Sequence, residues 1–146
     1  MSPRRRILFP FLGSTLSSAT LESALRTARA QGATLVPAYL AMVPNHLSLE
    51  SALPLRESEA AVPLLELIDQ RATSAGVAVD SRIGRGRTPR QALSELMETE
   101  RYDTLVVAAQ TSESGGFSAA DVTWLLENAP GEVLVLRPGA DSESGG

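Results

Sequence analysis

Five short apolar runs, separated by four stretches whose apolar residues recur at helical spacing, constrain this chain more than any other feature of its sequence. The runs are Arg6–Leu12, Thr34–Met42, Val77–Ile83, Thr104–Ala109 and Glu132–Arg137. Continuous apolar runs of this length suit strands buried on both faces, and the alternating Val77–Ile83 suits a strand as well. Strict alternation of strand and helix predicts an α/β fold, with a five-stranded parallel sheet sandwiched by four helices. Right-handed crossovers restrict the topology, and the expected strand order sets the first and fourth strands side by side, at a switch point where ligands bind beyond the strand C-termini. The expected crevice lies near Leu12, Ala41, Arg85 and Ala109. Two residues strain this reading, because Pro10 and Pro37 sit inside apolar runs and proline removes a ladder donor.

The intervening stretches carry their own start and stop signals. Ser17-Ser18 offer an N-cap, Leu21, Ala24, Leu25 and Ala28 form a stripe, and Gly32 ends it. Val43–Arg56, with Pro44, His46 and Pro54, reads as a loop. Over Glu57–Ser74 the stripe is Ala61, Leu64, Leu65, Ile68 and Ala72, stopped by Gly76. Gly84-Arg-Gly-Arg87 reads as a turn. Thr88-Pro89 predicts an N-cap followed by proline at the first helical position, with Ala92, Leu93, Leu96 and Met97 on the apolar face. Gln110–Phe117 is polar, Ser118–Asn128 is a short helix, and Pro130-Gly131 breaks it. Residues 1–138 read as one domain and residues 139–146, rich in Gly, Ser and acid, as a disordered tail.

Composition excludes several chemistries. With 146 residues, 43% of them hydrophobic, the chain suits one domain with a real core. A net charge of −4 argues against nucleic acid as a partner. No apolar run reaches the ~18 residues of a membrane span, and the run after Arg4-Arg5-Arg6 is too short for a signal peptide, so a cytoplasmic protein is expected. There is no cysteine, hence no disulfide, thiol nucleophile or thiolate site. The single histidine, His46, cannot form a histidine cluster, and no metal site is expected. All 13 basic residues are arginine, which excludes a Walker lysine and Schiff-base chemistry.

Three motifs in register resemble the universal stress protein family. Ile7-Leu-Phe-Pro-Phe-Leu-Gly-Ser14 resembles its opening strand, usually Ile-Leu-Val-Pro-Val-Asp-Gly-Ser. Tyr102-Asp-Thr-Leu-Val-Val-Ala108 resembles its fourth strand, and Asn128-Ala-Pro-Gly-Glu-Val-Leu-Val-Leu-Arg137 its closing segment. The resemblance covers residues 6–137 and implies a Rossmann-like, adenine nucleotide alpha hydrolase-like fold that is commonly dimeric. The family has an ATP-binding branch and a branch that does not bind ATP. In the former, an Asp ends the first strand and contacts the adenosine; here Leu12 stands there. The branch's Gly-x-x-Gly matches Ala108 and Thr111, and its later Gly-Ser matches Ala119-Ala120. Leucine cannot accept a hydrogen bond from ribose, and a Cβ at each glycine position restricts backbone approach.

The resemblance therefore implies a non-catalytic homodimer of the branch without ATP, in a stress-response or regulatory role. Leu12, Gly13, Ser14, Ala41, Arg85, Arg87, Ala109 and Gln110 would line a vestigial pocket, and no cofactor, ATP included, is expected. The alternative is a nucleotide- or anion-binding module with a rearranged phosphate loop at Gly115-Gly116, served by Ser14, Arg85 and Arg87. An enzyme on the same fold would lack the usual bases and nucleophiles.

Other features carry a functional and a plainer reading. Arg82, Arg85, Arg87 and Arg90 could grip a phosphate near a helix start, or form a solvated turn balanced by Glu95, Glu98 and Glu100. His46 reads as an exposed loop residue, Asp103 and Glu132 as structural residues at strand starts, and Trp124 as core or dimer packing. The last strand would be a sheet edge, so Val133, Leu134, Val135 and Leu136 are expected to pair with their copies in a homodimer. No membrane partner is expected.

Overall fold

The computed structural model describes residues 4–12, 16–46, 55–111 and 115–137. Their elements run β1 (Arg6–Phe11), α1 (Ser18–Gln31), β2 (Thr34–Met42), α2 (Leu55–Ser74), β3 (Arg82–Gly86), α3 (Pro89–Thr99), β4 (Thr104–Ala108), α4 (Ala119–Asn128) and β5 (Glu132–Leu136). The sheet is parallel throughout, in the order β3-β2-β1-β4-β5. The chain moves one way from β1 to β3 and returns across it to β4. Right-handed crossovers therefore put α1 and α2 on one face and α3 and α4 on the other.

The two cores follow the strand period of two. Ile7, Phe9 and Phe11 pack with Leu21, Leu25, Ala61 and Ile68 beneath α1 and α2. Leu8, Val36, Leu40, Leu105 and Val107 pack with Leu93, Leu96 and Leu125 beneath α3 and α4. The caps are those the sequence predicts. Ser17 Oγ accepts from the Thr20 amide, Gly32 closes α1 at φ 60°, and Thr88 caps α3 with proline in the first turn. Among the described residues, no helix is long and apolar enough to cross a membrane.

The prolines sit where the ladders break. The Arg6 carbonyl accepts from Asp103 on the β4 side and the Arg5 carbonyl accepts from Thr34 of β2. By alternation, Pro10 faces β4. The β1–β4 register runs only Ile7↔Thr104 and Leu8↔Leu105, because Pro10 has no N–H to extend it. Leu35 donates to Ala78 and accepts from Asp80, so Pro37 likewise faces β3.

This second proline corrects the reading of the third strand. A bridge joins Leu35 to Val79, the ladder lapses opposite Pro37, and it resumes in the same register at Ala38↔Arg82. The continuous strand therefore begins at Arg82 rather than Val77, and Gly84-Arg85-Gly86 is strand rather than turn. Close packing favours glycine there, most strongly at Gly86. A Cβ on Gly86 would lie 2.6 Å from the Ala92 nitrogen, and one on Gly84 would lie 3.0 Å from the Leu96 side chain. The small residues let α3 lie directly on β3.

Arginines and carboxylates fasten the N-terminal ends of the strands. Arg6 Nη1 pairs with Asp80 at 3.1 Å and Arg6 Nη2 with Glu100 at 3.7 Å. Arg82 bonds both Asp80 and Glu100. Thr104 Oγ1 accepts from Arg5 at 3.1 Å and donates to Glu132 at 2.6 Å. Asp103 and Glu132 are thus structural residues at strand starts.

Candidate functional site

The crevice forms where β1 and β4 part beyond Leu8. Its described lining is Phe9, Pro10, Phe11, Leu12, Leu16, Thr20, Ala108, Gly115, Gly116 and Phe117. All of these but Thr20 are apolar or glycine, and the free volume is about 10 Å3, room for about one water. Phe9 and Phe11 stack tilted at 5.9 Å, and Phe11 meets Tyr39 edge-on at 5.8 Å, which fixes the rings below the slot. The polar atom of Thr20 is engaged, since its Oγ1 accepts from Ser17 Oγ at 2.8 Å.

The backbone amides after β4 are committed as well. Ala109 donates to the Leu136 carbonyl, Gln110 donates to the Phe117 carbonyl, and Phe117 donates to the Ala108 carbonyl, each at 2.8 Å. The resulting bridge between Ala109 and Phe117 anchors Phe117, which is 1% exposed beneath α3 and α4. Gly116 permits it, with φ 154° and an ideal Cβ position only 2.7 Å from the Ala108 carbonyl oxygen. Its glycine serves chain packing against β4.

The residues expected to form the pocket do not converge. Leu12 lines the slot, while Ala109 and Gln110 flank it through backbone bonds. Gly13 and Ser14 lie outside the described residues, as does the tail, residues 139–146. Ala41 is fully buried in β2, in register with Arg85 of β3. Arg87 Nη1 donates to the Pro44 carbonyl at 2.6 Å, tying the start of α3 to the segment after β2. His46 is exposed, and Trp124 is half-buried against the α3–α4 core.

The arginine group is dispersed. Arg82 opens β3, in register with Ala38, and its guanidinium bonds Asp80 and Glu100. Arg90 Nε donates to Asp121 Oδ1 at 2.7 Å, joining the first turns of α3 and α4. The hydroxyl at the start of α4 belongs to Ser118, whose Oγ accepts from the Asp121 amide at 3.1 Å. Asp121 thus puts a carboxylate in the positive first turn of α4, ground otherwise suited to a phosphate. Sequence reading missed both Asp121 and Phe117. The Ser118–Asp121 spacing of a capping box was the available signal for the first.

Comparison with known proteins agrees with this architecture. The sequence profile of the universal stress protein family matches residues 3–137. No curated protein sequence matches the chain. A universal stress protein family structure from Burkholderia pseudomallei is similar, at 22% identity and TM-score 0.69, over 91% of this chain and 96% of that one. A universal stress protein in complex with cAMP is 21% identical, at TM-score 0.61, over 93% and 98% of the two chains. An Arabidopsis thaliana family member with AMP bound is 15% identical, at TM-score 0.64, over 94% of each chain.

Proposed function

The chain belongs to the universal stress protein family, and from that premise we propose that it acts without catalysis, as a homodimeric stress-response protein whose nucleotide site is degenerate. The observation that carries this reading is the narrow slot at the end of β1, with about 10 Å3 free among its described lining residues. Small-molecule sites commonly offer about 300–1,000 Å3. The Leu12 side chain supplies no acceptor for ribose, the Ala109 and Gln110 amides already have carbonyl partners, and Asp121 with its partner Arg90 already occupies the start of α4. The absence of lysine and cysteine from the sequence supports a non-catalytic role. Among the described residues β5 is the outermost strand on its side of the sheet, which supports dimerisation there.

A second reading draws on the relatives solved with cAMP and AMP. In it the segment around Gly115 and Gly116 rearranges, the slot opens, and a nucleotide binds. Calorimetric titration with ATP separates the two. The first reading expects no binding tighter than about 1 mM, whereas a dissociation constant below about 10 μM overturns it.

A further inference from the structure

Two grooves adjoin on the α1–α2 side, at the end of the sheet opposite Leu12. One, of about 250 Å3, is lined by Glu22, Leu25, Arg26, Arg29, Arg71, Ser74 and Ala75. The other, of about 150 Å3, lies among Arg4, Ala28, Arg29, Gly32, Ala33, Gly76 and Val77. Arg29 belongs to both. A chain with a net charge of −4 thus carries four arginines along two grooves that share Arg29, with Glu22 the one carboxylate among their described lining residues.

Arginines in a last helical turn ordinarily serve the helix end. Here backbone amides already do so. Gly32 and Ala33 donate to the carbonyls of Arg29 and Ala28, while Ala75, Gly76 and Val77 donate to those of Arg71, Thr73 and Ala72. The guanidiniums of Arg4 and Arg29 make no hydrogen bond or ion pair within the described structure. Arg26 reaches only the Ser23 hydroxyl, at 3.2 Å. Arg71 faces Glu22 at 3.5 Å across half-exposed side chains, a pair weak enough to open for a stronger acceptor.

We propose that these paired grooves are an anion site for a linear polyphosphate. One phosphate would be gripped between Arg26, Arg29 and Arg71, and the next between Arg29 and Arg4. Guanidinium forks suit phosphate oxygens, and two grooves meeting at one arginine favour a ligand with linked phosphates over a single one. The site is independent of the nucleotide reading, since it shares no residue with the slot at β1.

The test is calorimetric titration of the full chain with inorganic tripolyphosphate and with inorganic phosphate, repeated on Arg29→Ala and on Arg137→Ala. Arg137 is exposed beyond β5, at the other end of the sheet, and loses the same charge. The expected result is tripolyphosphate binding at least about tenfold tighter than phosphate, weakened about tenfold or more by Arg29→Ala and unchanged by Arg137→Ala. Equal weakening by the two variants, equal affinity for the two anions, or no tripolyphosphate binding tighter than about 10 mM overturns the proposal.

Discussion

Arg6 and Asp103 clasp each other across the starts of β1 and β4. The Arg6 amide donates to Asp103 Oδ2 at 2.8 Å, and the Asp103 amide donates to the Arg6 carbonyl at 2.8 Å. Only two residue pairs of the β1–β4 ladder follow before Pro10 ends it. The clasp therefore carries an unusual share of the pairing at the switch point, where the order of strand addition reverses. The Arg6 side chain extends the same junction to Asp80, Glu100 and the Arg101 carbonyl.

Replacing Asp103 by alanine leaves the Arg6 amide without its acceptor. The expected cost is about 1–3 kcal/mol. It should appear in urea denaturation as a lower midpoint with an unchanged slope. Asp103→Asn keeps an acceptor oxygen and should recover most of the loss. An Asp103→Ala midpoint equal to that of the parent protein would show that the β1–β4 junction does not depend on this clasp.

The neighbouring carboxylate gives the junction a pH dependence. The hydrogen bond from Arg82 holds the Asp80 carboxyl below its ordinary value of 3.8; burial opposes this, and Arg6 adds to it. A lowered folded-state value means that Asp80 stabilises the fold above pH 3.8 and that this contribution fades as pH falls through the folded-state value. Asp80→Asn should thus be less stable than the parent at neutral pH, and the two should converge in acid. The side chain is 36% exposed, so added salt should shrink the difference. A gap that persists unchanged into acid would assign the effect to shape rather than charge.

The residues that were readable in the sequence are those whose signal is local. Ser17, Gly32, Thr88 and Pro89 mark helix ends by their own chemistry, and the apolar runs at Ile7, Thr34 and Thr104 mark buried strands by composition alone. Where the sequence misled, the cause lay in a neighbouring strand or helix. Val77–Ile83 alternates like a strand, yet Pro37 on β2 withholds the donor its middle needs. Gly84-Arg85-Gly86 has turn composition, yet α3 demands bare backbone there. At the site, Leu12 was legible as a missing acceptor. The occupation of the Ala109 and Gln110 amides by Leu136 and Phe117 was not, because it depends on how a distant segment returns to β4.

The glycines of β3 make that dependence measurable. An alanine Cβ at position 86 would meet backbone, 2.6 Å from the Ala92 nitrogen and 3.0 Å from the Thr88 carbonyl oxygen. At position 84 it would meet the Leu96 and Leu40 side chains at 3.0–3.1 Å, which can rotate away. Gly86→Ala should therefore cost about 2–3 kcal/mol and Gly84→Ala about 1 kcal/mol, as overpacking does. Thermal unfolding of both variants checks the order. A turn at these positions would predict no such ranking.

The proposed dimer rests on β5, the outer strand beside β4. Its Val135 is 39% exposed, while Val133, Leu134 and Leu136 are half-buried against the two cores. An open, apolar parallel-sheet edge of this kind is a liability unless something pairs with it. Antiparallel pairing with a second copy would occupy its free backbone groups and cover Val135 in an isologous contact. Val135→Arg places a charge on each side of that contact at a position already exposed in the monomer, so folding should survive while association fails. Analytical ultracentrifugation should find a dimer for the parent chain and a monomer for Val135→Arg, with unchanged far-ultraviolet circular dichroism. The opposite edge supplies the contrast, because Ile83 on β3 is 40% exposed. A dimer that withstands Val135→Arg but is lost in Ile83→Arg would move the interface to β3, and a parent chain that sediments as a monomer would remove it from both edges.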